Sequence, residues 1–153
     1  MFNIVLVNPQ IPPNTGNIGR LCVNAGAVLH LVKPLGFEID EKSLKRAGLD
    51  YWQKLDVRIW ESLDEVLESI DLNRAYFATT KSKKPYFEAR FEKGDYIFFG
   101  SETEGLPQKL LEKAGKRAIT IPMCEQGRSI NLAVSVGIIL YEGIRQNFGE
   151  FCR

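Results

Sequence analysis

The sequence is poor in the residues that many familiar chemistries require. It contains a single histidine, His30, which excludes zinc sites built on two or three histidines. The setting of that residue in VLHLV reads as a structural side chain on a strand, not as the base of a Ser-His-Asp or Cys-His arrangement. Cysteine is also sparse: Cys22, Cys124 and Cys152 are widely spaced and include no CxxC pair. An odd, scattered set of this kind points to a reduced, cytoplasmic protein, and no metal is expected. No apolar run is long enough to span a bilayer, so no membrane partner is expected. The opening MFNIVLVNP has neither the basic stretch nor the apolar length of a signal peptide. Net charge is lacking too, since 20 Lys plus Arg stand against 19 Asp plus Glu, a formal +1. No overall field advertises a polyanionic partner, and such a partner would have to meet local patches. The GxGxxG of a dinucleotide site and the GK[ST] of a P-loop are absent; Gly16 and Gly19 form only a GxxG, a weak signal by itself. Nor are there paired carboxylates at a spacing that suggests glycoside hydrolysis or metal-assisted phosphoryl transfer.

What is present is a regular alternation of strand-like and helix-like segments. Strands are expected over Asn3 to Val7, Val28 to Val32, Val57 to Trp60, Ala75 to Ala78, Tyr96 to Phe99 and Ala118 to Ile121. Between them fall helical patterns: one that follows NPQIPPNTGNIGR and ends near Gly26, EKSLKRAG, and SLDEVLES. Strands that are apolar on consecutive residues and separated by helices imply a mostly parallel sheet covered by helices on both faces. With 153 residues, no repeat and no linker, the whole span 1–153 reads as one α/β domain with no separate RNA-binding domain. General rules then predict a right-handed, doubly wound sheet.

In such sheets ligands sit beyond the carboxyl ends of the strands, which directs attention to four loops. In the first, Asn14 is expected to cap a helix that buries Ile18, Leu21, Cys22 and Ala25, with Arg20 and Asn24 on the opposite face. Arginines are usually solvated, but a glycine- and asparagine-rich helix start lets backbone approach a ligand closely. The second, TTKSKK, carries three lysines within four residues, ordinarily a solvated turn and alternatively a phosphate contact. The third, GSETEGLP, places Glu102 just past a strand, where a glutamate is more often a helix cap or a solvated charge than a functional group. The fourth, MCEQGRS, precedes a long apolar helical pattern. Ser129 is its expected N-cap, and Arg128, Ser129 and Asn131 crowd its entrance. A capped core helix and a ligand site are equally compatible with this stretch alone. Together, Asn14, Arg20, Glu102, Arg128, Ser129 and Asn131 form a set suited to orienting a sugar and phosphates.

Three of these segments, Asn14 to Arg20 as NxxxxxR, FGSETEGLP from Phe99 to Pro107, and IPMxxxxRSINLAVSV from Ile121 to Val136, resemble the three motifs of SPOUT-superfamily RNA 2'-O-ribose methyltransferases. The resemblance extends through IVLVNPQIPPNTGNIGRLC and PLGFEIDEKSLKRAGLDYW, and is greatest to the minimal members that methylate the wobble nucleotide, cytidine or uridine at position 34 of tRNA. It implies methyl transfer from S-adenosylmethionine to a ribose 2'-hydroxyl and a C-terminal part of the sheet threaded into a deep trefoil knot. The cofactor positions it implies are Ala78, Gly100, Ile121, Met123 and Ser129. Glycine at Gly100 is expected because a side chain there would hold the backbone away from the ligand. The catalytic positions it implies are Arg20, Asn14, Glu102, Ser129 and Asn131, and the partners are the tRNA anticodon stem-loop and a second copy of the chain. Three basic clusters are available to grip RNA: Lys42, Lys45 and Arg46; Lys81, Lys83 and Lys84; and Lys113, Lys116 and Arg117. Two rival readings remain open, 2'-O-methylation of another tRNA or rRNA nucleotide and a non-catalytic nucleotide- or RNA-binding module.

Overall fold

In the computed structural model, which describes residues 1–38 and 52–151, six parallel strands form one sheet in the order β3-β2-β1-β5-β4-β6. The strands are β1 (Asn3–Val7), β2 (Val28–Val32), β3 (Val57–Trp60), β4 (Ala75–Ala78), β5 (Tyr96–Phe99) and β6 (Ala118–Ile119). The largely apolar sequences of β1, β2, β4 and β5 follow from burial on both faces, because successive side chains point to opposite sides, whereas the edge strand β3 leaves Arg58 and Ile59 exposed. Ile4, Leu6, Leu29, Leu31, Ile97 and Phe99 enter one core, whereas Val5, Val7, Val32, Phe77 and Phe98 enter the other. Helices α1 (Pro12–Ala25) and α4 (Leu132–Gln146) cover the first face, through Ile18 and Cys22 and through Val136, Ile139 and Leu140. Helices α2 (Leu63–Ser69) and α3 (Gln108–Ala114) cover the second, through Val66, Leu110 and Ala114. The expected EKSLKRAG helix, the Lys42, Lys45 and Arg46 cluster and Cys152 lie outside the described residues.

Both functional helices start differently from expectation. Helix α1 begins at Pro12, with Ile11 as an N-cap that makes no side-chain cap bond, and Asn14 lies inside the first turn. Proline at the first helical position supplies the helical φ and has no N–H to satisfy, so PP overrides the capping preference of asparagine. Helix α4 is capped by Asn131, not Ser129: the Asn131 side chain accepts from Val134 N–H at 3.2 Å. Serine and asparagine are nearly equal as caps, and two capping residues ahead of one apolar run leave the start ambiguous.

Strand β6 is also shorter than the expected Ala118 to Ile121, because its continuation has other partners. Thr79 N–H donates to Ile119 O at 2.9 Å, on the β4 side. On the other edge Thr120 N–H donates to Lys84 O, and Tyr86 N–H donates to Thr120 O, both at 2.8 Å. Residues 118–120 are therefore held between β4 and the connection that leaves β4. That is the local arrangement a threaded C-terminus requires, and the chain then crosses to the other face to form α4.

His30, the single histidine, is a core residue as its strand context suggested. Its Nε2 lies 2.9 Å from Asn3 Oδ1, and Trp60 Nε1 donates to its Nδ1 at 3.0 Å. Burial, helped by the neighbouring Arg58 charge and opposed by Asp56, pushes its pKa down to about 4.

Candidate active site

The carboxyl ends of β4, β5 and β6 open into one cavity of about 460 Å³. Its walls come from the loops after β4, β5 and β6 and from the starts of α1 and α4. Leu106 and Leu111 bring apolar surface from the β5–α3 side, and Ile121 and Leu132 bring it from the β6–α4 side. Thr79, Ser101, Ser129 and Asn131 add polar groups. Every expected cofactor position, Ala78, Gly100, Ile121, Met123 and Ser129, lines this cavity, as do Asn14, Glu102 and Asn131. Arg20 does not; it is exposed on the outer side of α1.

Gly100 is required here, but for a different reason from the one its sequence suggests. A Cβ at this position would run into the backbone of Gly105 and Leu106 rather than into a ligand. The loop folds back on itself, with Gly105 N–H donating to Ser101 O at 3.1 Å and Glu104 N–H donating to Ser101 Oγ at 3.0 Å. Gly105 completes that turn at φ 70, in the left-handed region that favours glycine. This tight return sets the backbone of residues 100–106 as one wall of the cavity.

Glu102 ties the wall to the rest of the site. Its Oε1 accepts from Gln10 N–H at 2.8 Å, and its Oε2 accepts from Ile11 N–H at 2.9 Å and from Asn14 Nδ2 at 3.2 Å. It thus meets the N–H groups just ahead of α1 across 91 residues of sequence. Burial alone raises its pKa, but the hydrogen bonds from Gln10, from its own N–H, from Asn14 and from Ile11 outweigh that effect and hold the carboxyl below its ordinary value. An ionised carboxylate accepts only, so Asn14 must present its amide nitrogen to Glu102 and its oxygen elsewhere. That oxygen accepts from Asn131 Nδ2 at 3.0 Å, and the Asn131 oxygen in turn caps α4. One directed series of hydrogen bonds therefore fixes both amide orientations and joins the two helix starts across the cavity.

Two features of this site escape sequence reasoning. The Gln10 and Ile11 donors are backbone groups, marked in the sequence only by the prolines that follow. Leu111 is a partly buried residue of a short helix, packed against the second core, and its spacing gives no hint that it also lines a cavity. Two cations line the cavity, Lys81 and Arg128, and among the described residues neither forms an ion pair with a carboxylate. No group of three or more His, Cys, Asp or Glu among the described residues is placed to hold a metal ion.

A half-apolar cavity of this size, walled by backbone loops at the carboxyl edge of a parallel sheet, suits a nucleoside-sized ligand. Fold and site together define a parallel α/β protein with a cavity for such a ligand among the loops that follow β4, β5 and β6. The chain belongs to the SpoU rRNA Methylase family, whose model matches residues 1–141. It is 46% identical over 147 residues to the tRNA (cytidine(34)-2'-O)-methyltransferase of Aeromonas hydrophila, covering 95% of this chain and 94% of that protein. It is 43% identical to the protein of the same name from Methylovorus glucosotrophus, covering 96% of each. A solved structure described as giving structural insights into the 2'-OH methylation of C/U34 on tRNA superimposes with a TM-score of 0.91, at 42% identity and 98% coverage of both chains.

Proposed function

We propose that this protein transfers a methyl group from S-adenosylmethionine to the ribose 2'-hydroxyl of nucleotide 34, a cytidine or uridine, in tRNA. The observation that carries this reading is the near-complete alignment with relatives named for that reaction, on a chain whose three motif loops meet at one cavity. When bound, S-adenosylmethionine supplies a methyl group on a sulfonium centre, already activated for attack by oxygen. The protein's part is to hold that donor and the ribose in line. Ala78, Gly100, Ile121, Met123 and Ser129 would hold the cofactor: Gly100 keeps the β5 loop folded as a wall, while Ile121 and Met123 supply apolar surface and Ser129 a hydroxyl.

Glu102 acts as a brace and not as a proton acceptor, because its oxygens receive three hydrogen bonds and its pKa is held low. Asn14 and Asn131 carry that brace to the start of α4, beside Ser129. Arg20 serves as a cationic clamp with a planar fork of donors, not as the base. It clamps a phosphate of the RNA outside the cavity and so positions the 2'-hydroxyl for in-line attack.

Two copies of the chain pair through α4. Val134, Ile138 and Tyr141 recur at helical spacing, and Val134 and Tyr141 are 53% and 43% exposed in the single chain. The substrate contact is the anticodon stem-loop, and the protein works in the cytoplasm; no helix among the described residues is long and apolar enough to cross a membrane.

Mass spectrometry of tRNA nucleosides from cells with and without the active protein tests the reaction and its position. Disappearance of a 2'-O-methylated cytidine or uridine from position 34 supports the reading. Disappearance of a 2'-O-methyl group from another tRNA or rRNA nucleotide moves the same chemistry to a different substrate. An unchanged profile leaves a binding module without turnover.

A further inference from the structure

A polyanionic substrate and a net charge of +1 are reconciled only if the cations are segregated. The structure redraws the basic clusters that the sequence suggests. In the loop after β4, Lys81 N–H donates to Thr79 Oγ1 at 3.1 Å and Lys84 N–H donates to Ser82 Oγ at 3.1 Å. Ser82 Oγ–H then donates to Ala118 O at 2.8 Å, so the loop is fastened to the threaded strand. The Lys84 ammonium reaches Lys116 O at 3.3 Å, which brings Lys116 beside the loop. Arg117, by contrast, is spent internally, with one guanidinium nitrogen donating to Ala75 O at 3.3 Å and its centre 5.0 Å above the Tyr76 ring. Lys109 and Lys113 also fall away from the group. In α3, Leu110 and Ala114 face the core and Gln108 meets Lys81, and helical spacing then puts Lys109 and Lys113 on the other flank.

What remains is Lys81, Lys83, Lys84 and Lys116. Among the described residues no carboxylate lies within ion-pair distance of any of the four. Lys81 lines the cavity, so the group begins where the ligand site ends. Holding like charges together in a fastened loop, with no acid set among them, works against stability unless an anion arrives from outside. A ribose in the cavity would be joined on both sides to further phosphates, which must cross the rim.

We propose that Lys81, Lys83, Lys84 and Lys116 form a surface for the sugar-phosphate backbone of the substrate RNA on the β4–β6 side of the cavity. This rests on the reading of the protein as an RNA methyltransferase, and it names where the polynucleotide runs beyond the nucleotide that reacts. Because the contact is to phosphates, it carries affinity and register but no base preference.

The test uses the full-length protein and unmodified tRNA, with Lys83, Lys84 and Lys116 changed together to Gln and, separately, to Arg; Lys81 stays as it is because it lines the cavity. The affinity for tRNA is measured between 50 and 200 mM salt. The Gln variant is expected to bind more weakly, with a salt slope shallower by about 2 to 3 in log K against log salt. Its KM for tRNA should rise at least tenfold, while its affinity for S-adenosylmethionine and its melting temperature match wild type. The Arg variant should restore both slope and KM. A Gln variant with wild-type slope and KM overturns the proposed surface and leaves the enzymatic reading intact. A wild-type protein that binds tRNA with a slope reduced in the Gln variant, yet transfers no methyl group, supports the surface and overturns the enzymatic reading.

Discussion

Asn131 Nδ2 donates to Asn14 Oδ1 at 3.0 Å, across 117 residues of chain. One residue belongs to the first turn of α1 and the other caps α4, so this contact fixes how the two helices that frame the cavity meet. Neither orientation is free, because Glu102 below needs a donor and Val134 N–H above needs an acceptor.

Replacing Asn131 separates these two duties. Asn131→Ala removes the cap and the bridge together and should cost about 1–3 kcal/mol. Asn131→Asp keeps an acceptor for Val134 N–H but loses the donor to Asn14, and it sets a second carboxylate near Glu102. Thermal melts and S-adenosylmethionine titration of both variants check this. The Asp form should retain a folded α4, yet bind cofactor more weakly than wild type.

Glu102 predicts a pH dependence. Its folded pKa lies below the ordinary 4.5, so the unfolded chain takes up its proton first as pH falls. The stabilisation it provides is complete well above 4.5 and is lost as pH drops toward the folded value. In Glu102→Gln that component should vanish. Urea unfolding at a series of pH values from 7 to 3 should show the wild-type advantage over Gln shrinking on the acid side, and a constant difference would contradict it.

Gly100→Ala should be more damaging than its single added methyl suggests. The Cβ meets backbone at Gly105 and Leu106, which cannot turn aside as a flexible side chain can. Destabilisation of about 1–3 kcal/mol is expected, with cofactor affinity lost ahead of the global fold. Calorimetric titration and a melting curve on the same sample distinguish the two effects.

Arg20→Ala should leave cofactor affinity near wild type, because the residue stands outside the cavity lining. Methylation should fall by about 10²-fold, the scale of misplacing a reacting group when a remote clamp is lost. A variant that retains full turnover removes Arg20 from the mechanism.

The sheet was legible because its inner strands are apolar on both faces, and β1, β2, β3, β4 and β5 begin and end where their sequences indicate, although β3 is an exposed edge with Arg58 and Ile59 in solvent. Its order was not, since nothing in Ala118–Ile119 says that it pairs with β4 and not with the earlier β5. The motif loops were legible as a set, and all but one of the expected site residues line the cavity. What each residue does was less so. Ser129 and Asn131 are interchangeable as caps on paper, and only the distance to Val134 N–H decides between them. Glu102 accepts from the N–H groups of Gln10 and Ile11, just ahead of a helix some 91 positions away, a partner that its own loop does not announce. Backbone donors such as Gln10 N–H are marked in the sequence only by the prolines that follow them.

Residues 118–120 have hydrogen-bonded neighbours on both edges, and the ligand cavity takes its last wall from the chain that follows them. The connection that leaves β4 and the segment that ends β6 therefore supply each other's hydrogen-bond partners, and the final helix closes the site over both. A nascent chain that stops short of Leu132 would carry all six strands and every residue expected to touch a methyl donor, yet lack the helix against which the last of those residues are held.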